Sequence, residues 1–183
     1  PAKTMIAAAM NPCKCGFFPD LGRCRCTPTQ IRRYLNRVSG PFLDRIDIGV
    51  EVPRQDLGMM AAEKSIDEGS FPQTEQRNSS AVMRARVMEA RVRQEKRFAD
   101  ESISYNSQMT RRQIEEYCRL SGEDAVFLEK VERQQGISAR GHGKILKVAR
   151  TLADLDGQAE IGRTQLAEAI GFRSFEKKYW GSL

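Results

Sequence analysis

Asn11-Pro12-Cys13-Lys14-Cys15-Gly16 and Cys24-Arg25-Cys26-Thr27-Pro28-Thr29-Gln30, followed by Ser39-Gly40-Pro41-Phe42-Leu43-Asp44-Arg45-Ile46-Asp47-Ile48, decide how this chain is read. Two Cys-x-Cys pairs, eight residues apart, stand behind the short apolar run Thr4–Met10. That run ends at Asn11-Pro12 and predicts a buried strand. Cys13, Cys15, Cys24 and Cys26 can place four thiolates around one tetrahedral zinc, and Gly16 and Gly22 let the backbone turn tightly enough. Lys14, Arg23 and Arg25 favour the thiolate form and offset its charge. Four sulfur ligands leave no open position, so the zinc reads as structural. The other reading is four reduced or disulfide-linked thiols. A reducing compartment and the strain of a Cys-x-Cys bridge weigh against disulfides. Cys118, alone in a helical stretch, reads as a small core residue.

The 183 residues allow one large domain or two small ones. No apolar run approaches the length of a membrane helix and no signal peptide opens the chain, so a soluble, cytoplasmic protein is expected. The net charge of +6 suits a polyanion partner without demanding one. A strand almost at the first residue, with no initiator methionine, predicts a piece of a longer α/β protein.

Thr27-Pro28-Thr29-Gln30 is a capping box with Pro at the first helical position, predicting a helix to about Arg37 that Val38-Ser39-Gly40-Pro41 stops. Ile46, Ile48, Val50 and Val52 alternate with polar residues and glycine, predicting a second strand up to Pro53. Residues 54–75 read as a linker. Beyond it five helices are expected, over 75–98, 110–118, 124–135, 138–155 and 163–170. The first carries Ala81, Ala85, Met88 and Val92 at 4-3-4 spacing, and the fourth carries Ile145, Ala149 and Leu152 on one face. The expected fold class is α/β plus all-α.

In Asn11-Pro12-Cys13-x-Cys15-Gly16, Cys24-x-Cys26-Thr27-Pro28-x-Gln30 and Ser39-Gly40-Pro41-x-Leu43-Asp44-Arg45-Ile46-Asp47, the chain resembles the magnesium-chelatase-like AAA+ ATPases of the bacterial competence family (ComM/YifB). Ser138-Ala139-Arg140, Ile145–Thr151 and Ala153-Asp154-Leu155 resemble that family's C-terminal region. The resemblance implies that residues 1–53 are the C-terminal part of an AAA+ α/β core with a four-cysteine insertion at 13–26. Residues 76–183 would be its helical lid. It also implies ATP and Mg²⁺ as cofactors of the longer protein, a homo-hexamer built with the rest of the core, and DNA as the substrate of a branch-migration motor. This chain has no Gly-x4-Gly-Lys-Ser/Thr loop, since Ile145 follows Gly141-His142-Gly143-Lys144, and no apolar run ending in Asp-Glu. It is therefore not expected to hydrolyse ATP alone.

By the family motif Asn11 resembles sensor 1, Arg45 the arginine finger and Arg140 sensor 2. The alternative roles are a loop-capping Asn, an ion pair of Arg45 with Asp44 or Asp47, and a solvated Arg140. His142, the only histidine, reads as a surface residue between two glycines that depart from the family. Two basic groups suit DNA phosphates. One is Lys14, Arg23, Arg25, Arg32 and Arg33 around the cysteines. The other is Arg86, Arg93 and Arg97, with Arg84 and Arg91, on the long helix. The competing functional reading is a zinc-stabilised adaptor or protein-binding module without nucleotide chemistry, or a subunit in metal chelation.

Overall fold

Helix signals written in the sequence are met almost residue for residue. The structure, a computed structural model, describes residues 4–52 and 79–181. Its helices are α1 (Pro28–Leu35), α2 (Gly40–Leu43), α3 (Ser80–Arg97), α4 (Arg111–Tyr117), α5 (Gly122–Gln135), α6 (Ala139–Leu155), α7 (Arg163–Gly171) and α8 (Ser174–Trp180), with a 3₁₀ turn at Asn106–Gln108. Polar caps start five of them. Thr27 Oγ1 accepts from the Gln30 N–H at 3.3 Å while Gln30 Oε1 accepts from the Thr27 N–H at 3.0 Å. Thr110 and Gln113 repeat the box on α4, and Ser79, Ser121 and Ser138 cap α3, α5 and α6. Gly136, at φ +68°, ends α5.

Two expected strands do not form. Thr4–Met10 and residues 46–52 have no ladder among the described residues. Met5 is 93% exposed and Val52 85%. A strand ladder needs a neighbouring strand to take its N–H and C=O groups, and no described segment offers that pairing. The α/β part of the expected fold class is thus not shown among the described residues, whose architecture is helical with a cysteine-rich loop. The expected linker, 54–75, lies outside the described residues, as does the start of the helix expected from 75.

The chain divides into two compact units, residues 1–46 with 173–183, and residues 47–172. Tyr179 and Trp180, near the end of the chain, pack with the cysteine loop in the first unit. In this first unit Ile31 and Leu35, one turn apart on α1, are buried with Cys13 against Phe18, Tyr34, Tyr179 and Trp180. Each such aliphatic side chain contributes about 1.5–3 kcal/mol by leaving water. Trp180 Nε1–H donates to the Leu35 carbonyl at 3.1 Å. The buried Arg173 donates to the Ile46 carbonyl at 2.9 Å and pairs with Glu176.

In the second unit α6 is the central element, packed against α3, α4, α7 and the 3₁₀ turn. Its Ile145 and Ala149 sit in a core with Phe98, Met109, Cys118, Leu128, Ile161 and Leu166. Gly143 faces Ile114 of α4, where a Cβ would make van der Waals contact with Ile114 Cδ1 at 3.4 Å. Helix α3 docks differently from its apolar spacing. Ala90 and Gln94 are its buried residues, and Met88 and Val92 stay about half exposed at 50% and 45%. A polar network fixes this rotation. The carboxylate of Asp154, fully buried, accepts from Arg97 at 2.8 Å, Asn106 at 2.8 Å and Arg150 at 3.1 Å, and Gln94 accepts from the Asn106 N–H at 3.1 Å. No helix among the described residues is long and apolar enough to cross a membrane.

Candidate metal centre and nucleotide-sensing residues

Four cysteine sulfurs converge at the head of the first unit. All lie within 4.8 Å of one another. The Sγ–Sγ separations are 3.4 Å for Cys13–Cys15, 3.8 Å for Cys13–Cys24 and 3.6 Å for Cys15–Cys24. Four thiolates at about 2.3 Å from one tetrahedral ion stand about 3.8 Å apart, so the donor set fits a single metal. It does not fit disulfides, and all four cysteines are free.

Local turns bring the two pairs together. The Gly16 N–H donates to the Cys13 carbonyl at 3.1 Å and Gly16 takes φ +77°, a conformation L side chains resist. Asp20 organises the return. Its carboxylate accepts from the Gly22 N–H at 3.0 Å and its carbonyl from the Cys24 N–H at 2.8 Å. Asp20-Leu21-Gly22 is an Asx-type turn signal in the sequence.

The thiols are unequal. Backbone N–H groups of Phe17 and Arg25 hold Cys15 down at about 6. Burial opposes the Cys13 thiolate, but the N–H of Phe18 and its neighbours outweigh it and the thiol is lowered. For Cys24 the Cys26 N–H favours the thiolate, yet burial and the sulfurs of Cys15 and Cys13 push it up to about 11. Cys26 is raised in the same way, against the Cys15 N–H. Without a dication Cys15 therefore favours the thiolate and Cys24 the thiol. A bound metal would draw all four into the thiolate form.

Asn11 is exposed at the entrance to this loop, with its side chain about where a Cβ on Gly16 would meet it, at 3.7 Å. Arg45 is exposed just after α2, and its Nη1 donates to the Pro41 carbonyl at 3.0 Å. Asp44 lies 3.9 Å from Arg173, and Asp47 pairs with Lys144 at 3.0 Å. Arg140 is exposed in the first turn of α6, whose N-terminus is capped by Ser138 on the Gly141 N–H at 3.1 Å. His142 Nδ1 meets Glu132 at 2.7 Å, which makes it a clamp between α6 and α5. Cys118 is buried and raised to about 11, chiefly by burial, as expected of a core thiol. Arg173 and Trp180 were missed, because their partners lie 127 and 145 positions away.

The two basic groups fare differently. Arg86 lies 3.8 Å from Asp156, Arg93 donates to the Asp154 carbonyl at 3.2 Å, and Arg97 is committed to the Asp154 carboxylate. Arg93 and Arg97 thus belong to the packing of α3, while Arg84, Arg86 and Arg91 stay exposed. Lys14, Arg23, Arg25, Arg32 and Arg33 all stay exposed around the cysteines.

Comparison with known proteins agrees with these motifs. Residues 1–60 match the family model described as magnesium chelatase, subunit ChlI, and residues 77–173 match the model of the ChlI C-terminal region. The competence protein ComM of Haemophilus influenzae is 40% identical over 175 residues, which is 95% of this chain and 31% of that protein. The uncharacterized protein YifB of Escherichia coli is 40% identical over 177 residues, 97% of this chain and 32% of that protein. An uncharacterized protein of Mycobacterium bovis is 31% identical over 173 residues. The chain thus spans about a third of the length of these relatives. With matches in this order over both units, the chain belongs to the magnesium-chelatase ChlI family, in its ComM/YifB form.

Proposed function

We propose that this chain is the sensing and lid portion of an ATP-driven motor that remodels DNA, as in branch migration during natural transformation and recombination. The observation that carries the reading is the ordered match along the chain, with the three expected sensing residues on accessible side chains. Asn11, Arg45 and Arg140 are all exposed. ATP with Mg²⁺, bound in the longer protein, would supply the phosphoryl group that Asn11, Arg45 and Arg140 sense. The neutral amide of Asn11 orients the attacking water or the γ-phosphate without adding charge. Arg45 reaches the nucleotide of a neighbouring subunit in a hexameric ring and stabilises charge spreading over the transferred phosphoryl group. Arg140 approaches the γ-phosphate from a helix N-terminus, which already favours an anion, and so makes the lid responsive to nucleotide state. The four-cysteine cluster holds one structural zinc.

The test is ATP turnover by a protein of full family length. Arg45→Ala and Arg140→Ala should each lower kcat by about 10²–10⁵-fold, the range for loss of a phosphate-stabilising arginine or donor. Turnover equal to wild type in both variants would contradict the reading and favour a zinc-stabilised adaptor.

A further inference from the structure

Charge is unevenly divided between the two units. Residues 1–46 and 173–183 carry eleven Lys and Arg against three Asp and Glu, and residues 47–172 carry nineteen against twenty-one. The first unit is therefore strongly basic although the chain as a whole is only +6. Most of that charge gathers on the cysteine loop and α1. Lys14, Arg23, Arg25, Arg32, Arg33 and Arg37 are exposed, and of these only Arg23 has an acidic partner among the described residues, Asp20 at 3.6 Å. The opposite face of α1, Ile31 and Leu35, is buried against the cysteines, so the arginines cannot turn inward without opening that core. Two cations hold a particular place. Lys14 lies between Cys13 and Cys15, and Arg25 between Cys24 and Cys26. Both ends of each short segment are anchored in the sulfur cluster, so its middle residue has little backbone freedom left to lose on binding.

We infer that the cysteine loop and α1 form the DNA-gripping surface of this chain, with Lys14 and Arg25 presented to the phosphate backbone by the metal cluster. The inference rests on the DNA-acting reading above and assigns it a site. Unpaired exposed cations on a fixed frame recognise phosphate rather than base edges, so binding is sequence-independent and strongly salt-dependent. The metal then has a mechanical purpose. It holds two positive side chains at a set spacing, and the arginines of α1 extend the same charge. On the long helix Arg93 and Arg97 are engaged with Asp154, while the exposed Arg86 lies 3.8 Å from Asp156, Arg91 sits over the Tyr105 ring and Arg84 is exposed, without a metal-ligand frame beside them.

The experiment measures binding of the full chain to a labelled DNA duplex of about 30 base pairs by fluorescence anisotropy, between about 50 and 200 mM salt. The double variant Lys14→Ala/Arg25→Ala should flatten the log–log salt slope by about 2 and weaken binding roughly ten-fold near the middle of that range. Arg111→Ala/Arg133→Ala, which removes exposed cations from the second unit, should leave both unchanged. Removing the metal with a chelator should reproduce the loss seen in the Lys14/Arg25 variant, while Trp180 emission reports on the state of the first unit. An unaltered slope in the Lys14/Arg25 variant overturns the inference. So does equal loss in the Arg111/Arg133 variant, or binding of an RNA duplex in preference to DNA. The assay contains no nucleotide, so its failure leaves the nucleotide-sensing roles standing, and their failure leaves its result standing.

Discussion

Cys15 and Cys24 lie 3.6 Å apart and are driven in opposite directions, Cys15 down to about 6 and Cys24 up to about 11. A metal entering the cluster must expel the protons that Cys24 and Cys26 keep at neutral pH. The sign follows directly. Thiol groups whose pKa is raised compete with the metal below that value, so affinity climbs as pH rises and falls as the medium is acidified. A competition titration with a chromophoric chelator between about pH 6 and 8.5 should show metal affinity increasing with pH. A pH-independent affinity would contradict four-thiolate ligation. At this scale the sequence was informative. The spacing of Cys13, Cys15, Cys24 and Cys26 announced the cluster, and their unequal acidities were hidden because these depend on which backbone N–H groups the loop aims at each sulfur.

Helices were legible wherever their ends were written in side chains. Thr27, Ser79, Thr110, Ser121 and Ser138 each accept from a first-turn N–H. The strand expectations for Thr4–Met10 and 46–52 came from alternation and apolarity, which say that a face needs cover and nothing about what covers it. The rotation of α3 was hidden for a related reason. Its apolar spacing pointed to Met88 and Val92, whereas the buried Arg97–Asp154–Asn106 network turns Ala90 and Gln94 inward. Ser39-Gly40-Pro41, read as a helix stop, also starts the single turn of α2, with Ser39 at its N-cap. The network makes a prediction for the elements it joins. Asp154→Ala leaves Arg97 and Arg150 buried without their carboxylate and should cost about 3–5 kcal/mol in urea unfolding. A loss below about 1 kcal/mol, the size of an exposed pair, would show that α3 is held by other contacts.

Over the whole molecule, the first unit is closed by residues far apart in the chain. Arg173 binds the Ile46 carbonyl and Trp180 the Leu35 carbonyl. No local pattern encodes such pairings, and for that reason residues 173–181 read as the tail of the helical bundle. Tyr179 and Trp180 pack on the same small core as the cysteines, Ile31 and Leu35. A core of this size needs a staple, and the proposed zinc supplies it. The basic surface and the closing helix α8 then depend on one ion. The most direct measurement is elemental analysis of the purified chain, with Trp180 emission followed during chelation. The account predicts about one zinc per chain, absent in Cys13→Ser/Cys26→Ser, and a change in Trp180 emission as the metal leaves. A folded chain that carries no metal, and whose Trp180 emission ignores both zinc and chelator, would contradict it.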